Sequence, residues 1–475
     1  MKKIFLLLPA VFLLNSCLDL DVDNPGLPDL TDIPARSDLF MLWHNITQSS
    51  DAAAIALSSM ADQTTTSWGD AGPRLSDEPR VELSTGTRGV DITDLYSDLY
   101  HSLTYANDVL GLISFGATFS YDEQDLNPDM MKAWGRFIQG ISLGYLGLCF
   151  DRAVIVKETT PTNYTTLSPY DNIILAAIES LNQCIDICSN KTFVLPSDFV
   201  SGMTVNQDML KQLANAFAAR ILIYSPRNAE DNTELPWTTI LEHADNGIDA
   251  DLEISTTSDK WLDTYKSYGT DKNGWVRIDH RIIRLMDPGY PARWPSDGTD
   301  PGPASGSDAR LDSDFEYMTD NIFDPDRGYY HFSHYRYKRY DTWLQTRLGP
   351  VPTFLKEENL MILAEALART GDLEAAIALV NSGSRTSRGA LPPLSNSADL
   401  QSVLDAIFYE RDIELIFSGM GISFFDMRRR DMLQKGTPLH FPIPFQEQDV
   451  LKIPRYTFGG VTRADGKNTS NGGWS

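Results

Sequence analysis

The sequence predicts a mainly α protein, four helix pairs interrupted by one long loop-rich insertion. Three observations carry that reading. Apolar residues recur at helical spacing along much of the 475-residue chain. A helix-turn-helix with a glycine stop stands at 354–388. Between about 250 and 347 helical periodicity disappears, and Trp, Tyr, Asp, Gly and Pro accumulate.

The helix-turn-helix is the clearest element. Leu360, Leu363, Ala364 and Leu367 fall at the i, i+3, i+4, i+7 spacing of one buried stripe. Gly371 suits the left-handed C′ position, and Asp372 can cap the next helix. There Leu373, Ala376, Ile377 and Val380 form the matching stripe, and alanines allow close backbone approach. The unit resembles a tetratricopeptide repeat, which cannot bury its face without stacked neighbours. A further helix is expected from Gln401 to Phe417.

The other pairs read in order. Ser37–Met60 and Asp91–Ile113 form the first, separated by a Thr-, Gly- and Pro-rich break at Thr64–Thr87. Met130–Phe150 and Pro169–Ser189 form the second. Gln207–Tyr224 and Pro236–Gly247 form the third; Leu210, Leu213, Phe217, Ile221 and Tyr224 make a clean buried face, with Asn206 as N-cap. Within the insertion, Tyr329–Tyr340 reads as extended. An insertion this long is usually functional rather than a connector.

Four motifs follow one another near the C-terminus: AEALARTGDLEAAIALVN from Ala364, ERDIELIF from Glu410, FFDMRR from Phe424 and FPIP from Phe441. In this order they resemble the SusD/RagB family of surface lipoproteins, which bind nutrients, mostly glycans, for a TonB-dependent outer-membrane transporter. The resemblance implies a SusD-like fold, a SusC-like transporter partner, a glycan or oligosaccharide ligand, and no cofactor. It implies a signal peptide at 1–16 and one SusD-like unit at 17–475: helix pairs at about 37–249 and 354–417, a ligand-face insertion at about 250–347, and a C-terminal segment at 418–475. The resemblance is weakest across the insertion. Phe150-Asp151-Arg152-Ala153-Val154 departs from the family's Gly-Asp-Val-Pro loop.

The N-terminus agrees. Lys2 and Lys3 precede the apolar run Ile4–Leu14, which is too short to span a bilayer. Leu14-Asn15-Ser16-Cys17 resembles a lipobox, making Cys17 the lipidated first residue, and Asp19, Asp21 and Asp23 behind it resemble the family's surface-export signal. The expected location is the outer membrane, lipid-anchored and facing outward. The same aspartates do not form an EF-hand loop, because Asn24 and Leu30 replace its Gly and Glu. A net charge of −25 argues against nucleic acid. Cys149, Cys184 and Cys188 read as buried free thiols.

The sequence offers no catalytic constellation and no metal site. H-E-x-x-H and phosphate-loop spacings are absent from it. His331 and His334 would point to opposite faces of an extended stretch. Asp297, Asp300, Asp308, Asp312, Asp314 and Glu316 read as a solvated acidic surface. Glu410, Arg411, Glu414, Asp426, Arg428 and Arg429 read as a structural charge network tying the last helix to the C-terminal segment, with the glutamates pairing to Arg411 or the later arginines.

Sugars present flat C–H faces ringed by hydroxyls, so aromatic platforms beside polar partners are sought. Trp68 in the first break and Trp275, Tyr290, Trp294 and Trp343 in the insertion lie outside helical stripes. Arg293 and Asp297 flank Trp294, and Trp68 and Trp294 are the residues expected to be exposed. The reading is a non-catalytic glycan-binding lipoprotein; the alternatives are a lipid-anchored polysaccharide hydrolase and a peptide-binding helical-repeat scaffold. Cys17→Ala is expected to release the protein from the membrane. Fractionation checks this, and retention of the variant in the outer membrane contradicts it.

Overall fold

A computed structural model describes residues 33–34, 50–66, 75, 79–83, 92–121, 124–161, 165–258, 261–274, 276–319 and 332–474. Cys17, Trp68, Trp275, His331 and all of 37–49 lie outside the described residues.

The fold is mainly α. In chain order the longer helices are α1 (Ser50–Met60), α2 (Ile92–Ser114), α3 (Pro128–Cys149), α4 (Tyr170–Asn190), α5 (Gln207–Tyr224), α6 (Trp237–Asp245), α7 (Thr264–Thr270), α8 (His280–Met286), α9 (Lys356–Thr370), α10 (Leu373–Ser382), α11 (Leu400–Glu414) and α12 (Ile422–Arg428). The strands that matter for the site are short: β1 (Thr64–Thr66), β2 (Arg152–Val154), β3 (Leu167–Pro169), β4 (Leu252–Thr256), β5 (Val276–Ile278), β6 (Phe315–Tyr317), β7 (Tyr335–Tyr337) and β8 (Gly349–Phe354).

Consecutive helices pack against one another: α2 on α3, α3 on α4, α4 on α5, α5 on α6, α6 on α9, and α9 on α10 and α11. Four helix pairs result, counted from α2. The expected partnership of α1 with α2 is replaced: α1 packs chiefly on α7 and α12, carrying the insertion and C-terminal segment onto the repeats. The central helix is α3. Asn127 caps it, accepting from the Asp129 N–H at 2.8 Å, and Pro128 occupies its first turn. Nearly every residue from Met130 onward is buried, so α3 is apolar all round. Neighbours reach it closely because side chains are missing there. A Cβ on Gly144 would lie 2.3 Å from Ile221 of α5, and one on Gly140 would lie 2.6 Å from Leu181 of α4.

The helix-turn-helix forms as expected at its turn. Gly371 sits at φ +100°, and Asp372 accepts from the Ala375 N–H at 3.1 Å. Its buried stripe is rotated from the expected one. Ala364 is buried, but Leu360, Leu363 and Leu367 are half-buried, while Met361, Ile362, Ala366 and Ala368 fill the interior. The reason is that α9 touches α5, α6, α10 and α11 and buries more than one face. Cys149, Cys184 and Cys188 are free and buried.

The insertion is fixed to this body by strands and by charge. β1 pairs antiparallel with β5, β8 with β4, and β7 with β6. Arg310 is fully buried and binds Glu410 at 2.7 Å, Glu414 at 3.2 Å and Asp308 at 2.7 Å. Arg281 binds Asp412 at 2.8 Å, and Asp308 also accepts from the Tyr409 hydroxyl at 2.7 Å. Glu410 and Glu414 therefore hold the insertion, not Arg411 as expected. Asp308 and Asp314 are buried ion-pair members, which corrects their reading as solvated acids.

A second buried network ties α9, α11 and α12 together. Arg411 and Arg429 both contact Glu365 and Asp426, with Arg429 at 2.7 Å from Glu365 and 2.6 Å from Asp426. Arg428 has a different role: it donates to the carbonyls of Leu148, Tyr224, Pro226 and Leu439. Burial alone would raise the Glu365 carboxyl, but Arg429 and Arg411 outweigh it and hold it at about 2. A depressed carboxylate stabilises the fold above its unfolded value near 4.5 and loses that contribution as pH falls from there through about 2. Glu365→Gln is expected to cost about 3–5 kcal/mol at pH 7, because it strands buried guanidinium charge. It should also flatten the acid limb of the stability profile below the unfolded value. Urea unfolding across pH measures both.

Candidate functional site

The insertion gathers a cluster of aromatic rings where β5, α8, β6 and β7 meet. The local sequence explains the gathering. Asp279 caps α8 by accepting from the Arg281 N–H at 2.7 Å, which sets His280 on its first turn. The chain then turns at Asp287, whose carboxylate accepts from Gly289 and Ser305 N–H groups at 3.0 and 2.8 Å. This closes the loop 288–304 over the β6–β7 ribbon, and Ala304 donates to the Tyr335 hydroxyl at 2.7 Å.

Inside the cluster, Tyr290 stacks on His280 with ring centroids 5.2 Å apart. Trp294 stacks on His334 at 5.1 Å and meets His280 edge-on at 6.0 Å. Tyr317 lies 5.4 Å from His334 and 5.5 Å from Tyr335. The Tyr317 hydroxyl donates to Asp300, which also lies 3.5 Å from His334 Nδ1. Burial opposes ionisation of Asp300, but the Tyr317 hydroxyl and the Gly302 N–H hold its carboxyl below the usual range. His334 is only 7% exposed, and burial pulls its imidazole below the ordinary value against the pull of Asp300. Neutral His334 is thus a flat, uncharged aromatic support under the Trp294 indole.

The expected ligand residues fall into three groups. Trp294 is half-buried at the edge of the cluster, and Arg293 and Asp297 beside it are exposed. Tyr290 is 3% exposed, packed beneath the loop as a support. Trp343 is held by its own contacts: its Nε1 donates to Thr256 Oγ1 at 3.0 Å and its indole packs on the core. Asp297 is turned back on its own loop, accepting from the Thr299 N–H at 2.9 Å. Sequence reasoning missed His334, Tyr317 and Asp300 as members of this site. His334 stands far beyond Trp294 in sequence, and the β6–β7 pairing brings it and Tyr317 under the loop. Chemically, the cluster offers an aromatic shelf with a carboxylate at its rim.

The comparisons bear on what this framework is. Residues 329–448 match the SusD family model, across the motifs at Ala364, Glu410, Phe424 and Phe441. A SusD superfamily protein from Parabacteroides distasonis has the same fold, with a TM-score of 0.60 at 12% identity over 88% of this chain and 97% of that one. The chain has the fold of SusD superfamily proteins, and its residues 329–448 are similar to the SusD family. A SusD superfamily protein from Bacteroides vulgatus aligns at TM-score 0.56 and 17% identity, covering 82% of this chain and 87% of its own. Surface glycan-binding protein A from Bacteroides uniformis aligns at TM-score 0.52 and 15% identity, covering 85% and 91%. No curated protein matches the sequence. At these identities the structural likeness is one of fold.

Proposed function

We propose that this protein is a member of the SusD family and a non-catalytic surface glycan-binding lipoprotein that captures oligosaccharide at the cell exterior. It would hand the ligand to a SusC-like TonB-dependent outer-membrane transporter. The observation that carries the reading is the Trp294 indole, backed by neutral His334, which in turn contacts Tyr317 and Asp300, on the insertion of a SusD fold. Aromatic faces stack on sugar C–H surfaces, and carboxylates accept hydroxyl hydrogen bonds. One structure sharing the fold is named a surface glycan-binding protein. Anchoring would rest on the lipid at Cys17; among the described residues no helix is long and apolar enough to cross a membrane.

A shallow site of this kind binds weakly, roughly in the micromolar to millimolar range. Affinity electrophoresis against a polysaccharide panel identifies the glycan, and calorimetry then measures Trp294→Ala. Binding is expected to fall at least tenfold, with a melting change of only a few degrees. Trp343→Phe removes the bond to Thr256 and is expected to cost about 1 kcal/mol of stability while leaving affinity unchanged. Parent-like affinity in Trp294→Ala, or polysaccharide turnover by the parent, contradicts the proposal.

A further inference from the structure

A cleft of ≈ 680 Å³ opens on the helical body, and none of its lining residues belongs to 250–347. It lies where α3 ends, where the β2–β3 hairpin leads into α4, beside the turn that follows α5, and against the C-terminal segment at His440 and Asn468. Its volume is that of a small-molecule site, about 300–1,000 Å³.

The lining selects a class of ligand. Leu167, Pro169 and the half-buried Tyr170 ring supply apolar surface. Arg152, Arg227 and Lys467 are matched in number by Asp151, Glu230 and Asp231, so the cleft carries no net charge to attract a polyanion or a polycation. Arg227 is 2% exposed and already engaged: it donates to the Gly147 carbonyl at 2.6 Å and lies 4.0 Å over the Tyr170 ring. It stiffens the wall.

His440 gives the sharper constraint. It is 5% exposed, and its Nε2 is 3.1 Å from the side-chain oxygen of Asn468. The orientation of that amide is fixed, because Asn468 Nδ2 donates to Asp465 Oδ2 at 3.0 Å. Asn468 therefore presents an acceptor, and Nε2 of the imidazole must carry the proton. The other nitrogen, Nδ1, is then an acceptor, and it is buried without a hydrogen-bond partner. Burial, aided by Arg227 and Arg428 nearby, keeps the ring from taking a second proton. An acceptor at that point calls for a hydroxyl or N–H donor and repels a carboxylate or phosphate.

We propose that this cleft is a second saccharide-binding site, separate from the insertion, that takes a short neutral oligosaccharide, one hydroxyl of which reaches the buried His440 Nδ1 on a small movement of the cleft wall. The proposal rests on the glycan-binding reading and adds a site to it. Apolar floor, matched charges and an acceptor-only nitrogen are what a hydroxyl-rich, uncharged ligand with flat C–H faces requires.

Hydrogen–deuterium exchange with a panel of neutral oligosaccharides of three to six units, and uronate oligosaccharides of the same lengths, tests this on the full chain. The variants are Trp294→Ala, Leu167→Trp to fill the cleft, and Glu230→Arg on its exposed rim in case the larger indole disturbs folding. The expected result is at least twofold slower exchange in peptides covering 226–231 and 437–468 with a neutral oligosaccharide. That slowing should persist in Trp294→Ala and vanish in Leu167→Trp or Glu230→Arg. Slowing confined to 276–319, and lost in Trp294→Ala, overturns the cleft site while leaving the glycan-binding function standing. Slowing at the cleft with uronates alone overturns the neutral-ligand assignment. Slowing nowhere overturns the cleft site and the glycan-binding function together.

Discussion

Buried guanidinium groups locked into carboxylates hold this molecule in register. Arg310 and Arg281 reach from the insertion into α11, where Glu410, Glu414 and Asp412 receive them. From the same helix Arg411 joins Arg429 of the segment after α12 in binding Glu365 and Asp426. One helix thus serves as the keel for repeats, insertion and C-terminal segment. Charges without water tolerate few arrangements, since a carboxylate that loses its arginine in a dry interior is heavily penalised. Apolar packing alone would let a loop-rich insertion slide over the helices; bidentate pairs fix its position as well as its attachment.

That fixed position is what makes the insertion usable as a binding surface. Short strands and turns have little stability of their own, and the ribbon of β6 and β7 is only two strands wide. Anchored at Arg310 just before β6, the ribbon supports the Trp294 loop through stacked His334 and Tyr317. A stacking platform held on a rigid frame loses less entropy when a sugar settles on it than a mobile loop would. The division of labour follows: the helices provide the body, α11 provides the anchor, and the loops provide chemistry that can vary without disturbing either.

How much of this was written in the sequence depends on the range of the contact. The face of α5 was legible in full: Leu210, Leu213, Phe217, Ile221 and Tyr224 are all buried, and Asn206 caps the helix by accepting from the Met209 N–H. Gly371 and Asp372 were legible too, because a helix stop and a cap are decided within a few residues. Distant partnerships were not. Nothing near Ser50–Met60 tells that it packs on the insertion rather than on α2, and nothing near Glu410 tells that its cation is Arg310. At the candidate site, Trp294 stood out as an aromatic in a polar loop, but His334 beneath it belongs to another strand. Asp308 and Asp314 look like surface acids in a run of acids, until the fold supplies arginines to both.

The most direct test of the anchoring role is hydrogen exchange on an Arg310→Met variant, comparing residues 276–319 with α3 and α5. If the buried pairs position the insertion, exchange across 276–319 should accelerate at least tenfold, oligosaccharide binding should weaken with it, and α3 and α5 should keep their protection. Unchanged protection of 276–319 with parent-like binding would contradict the account.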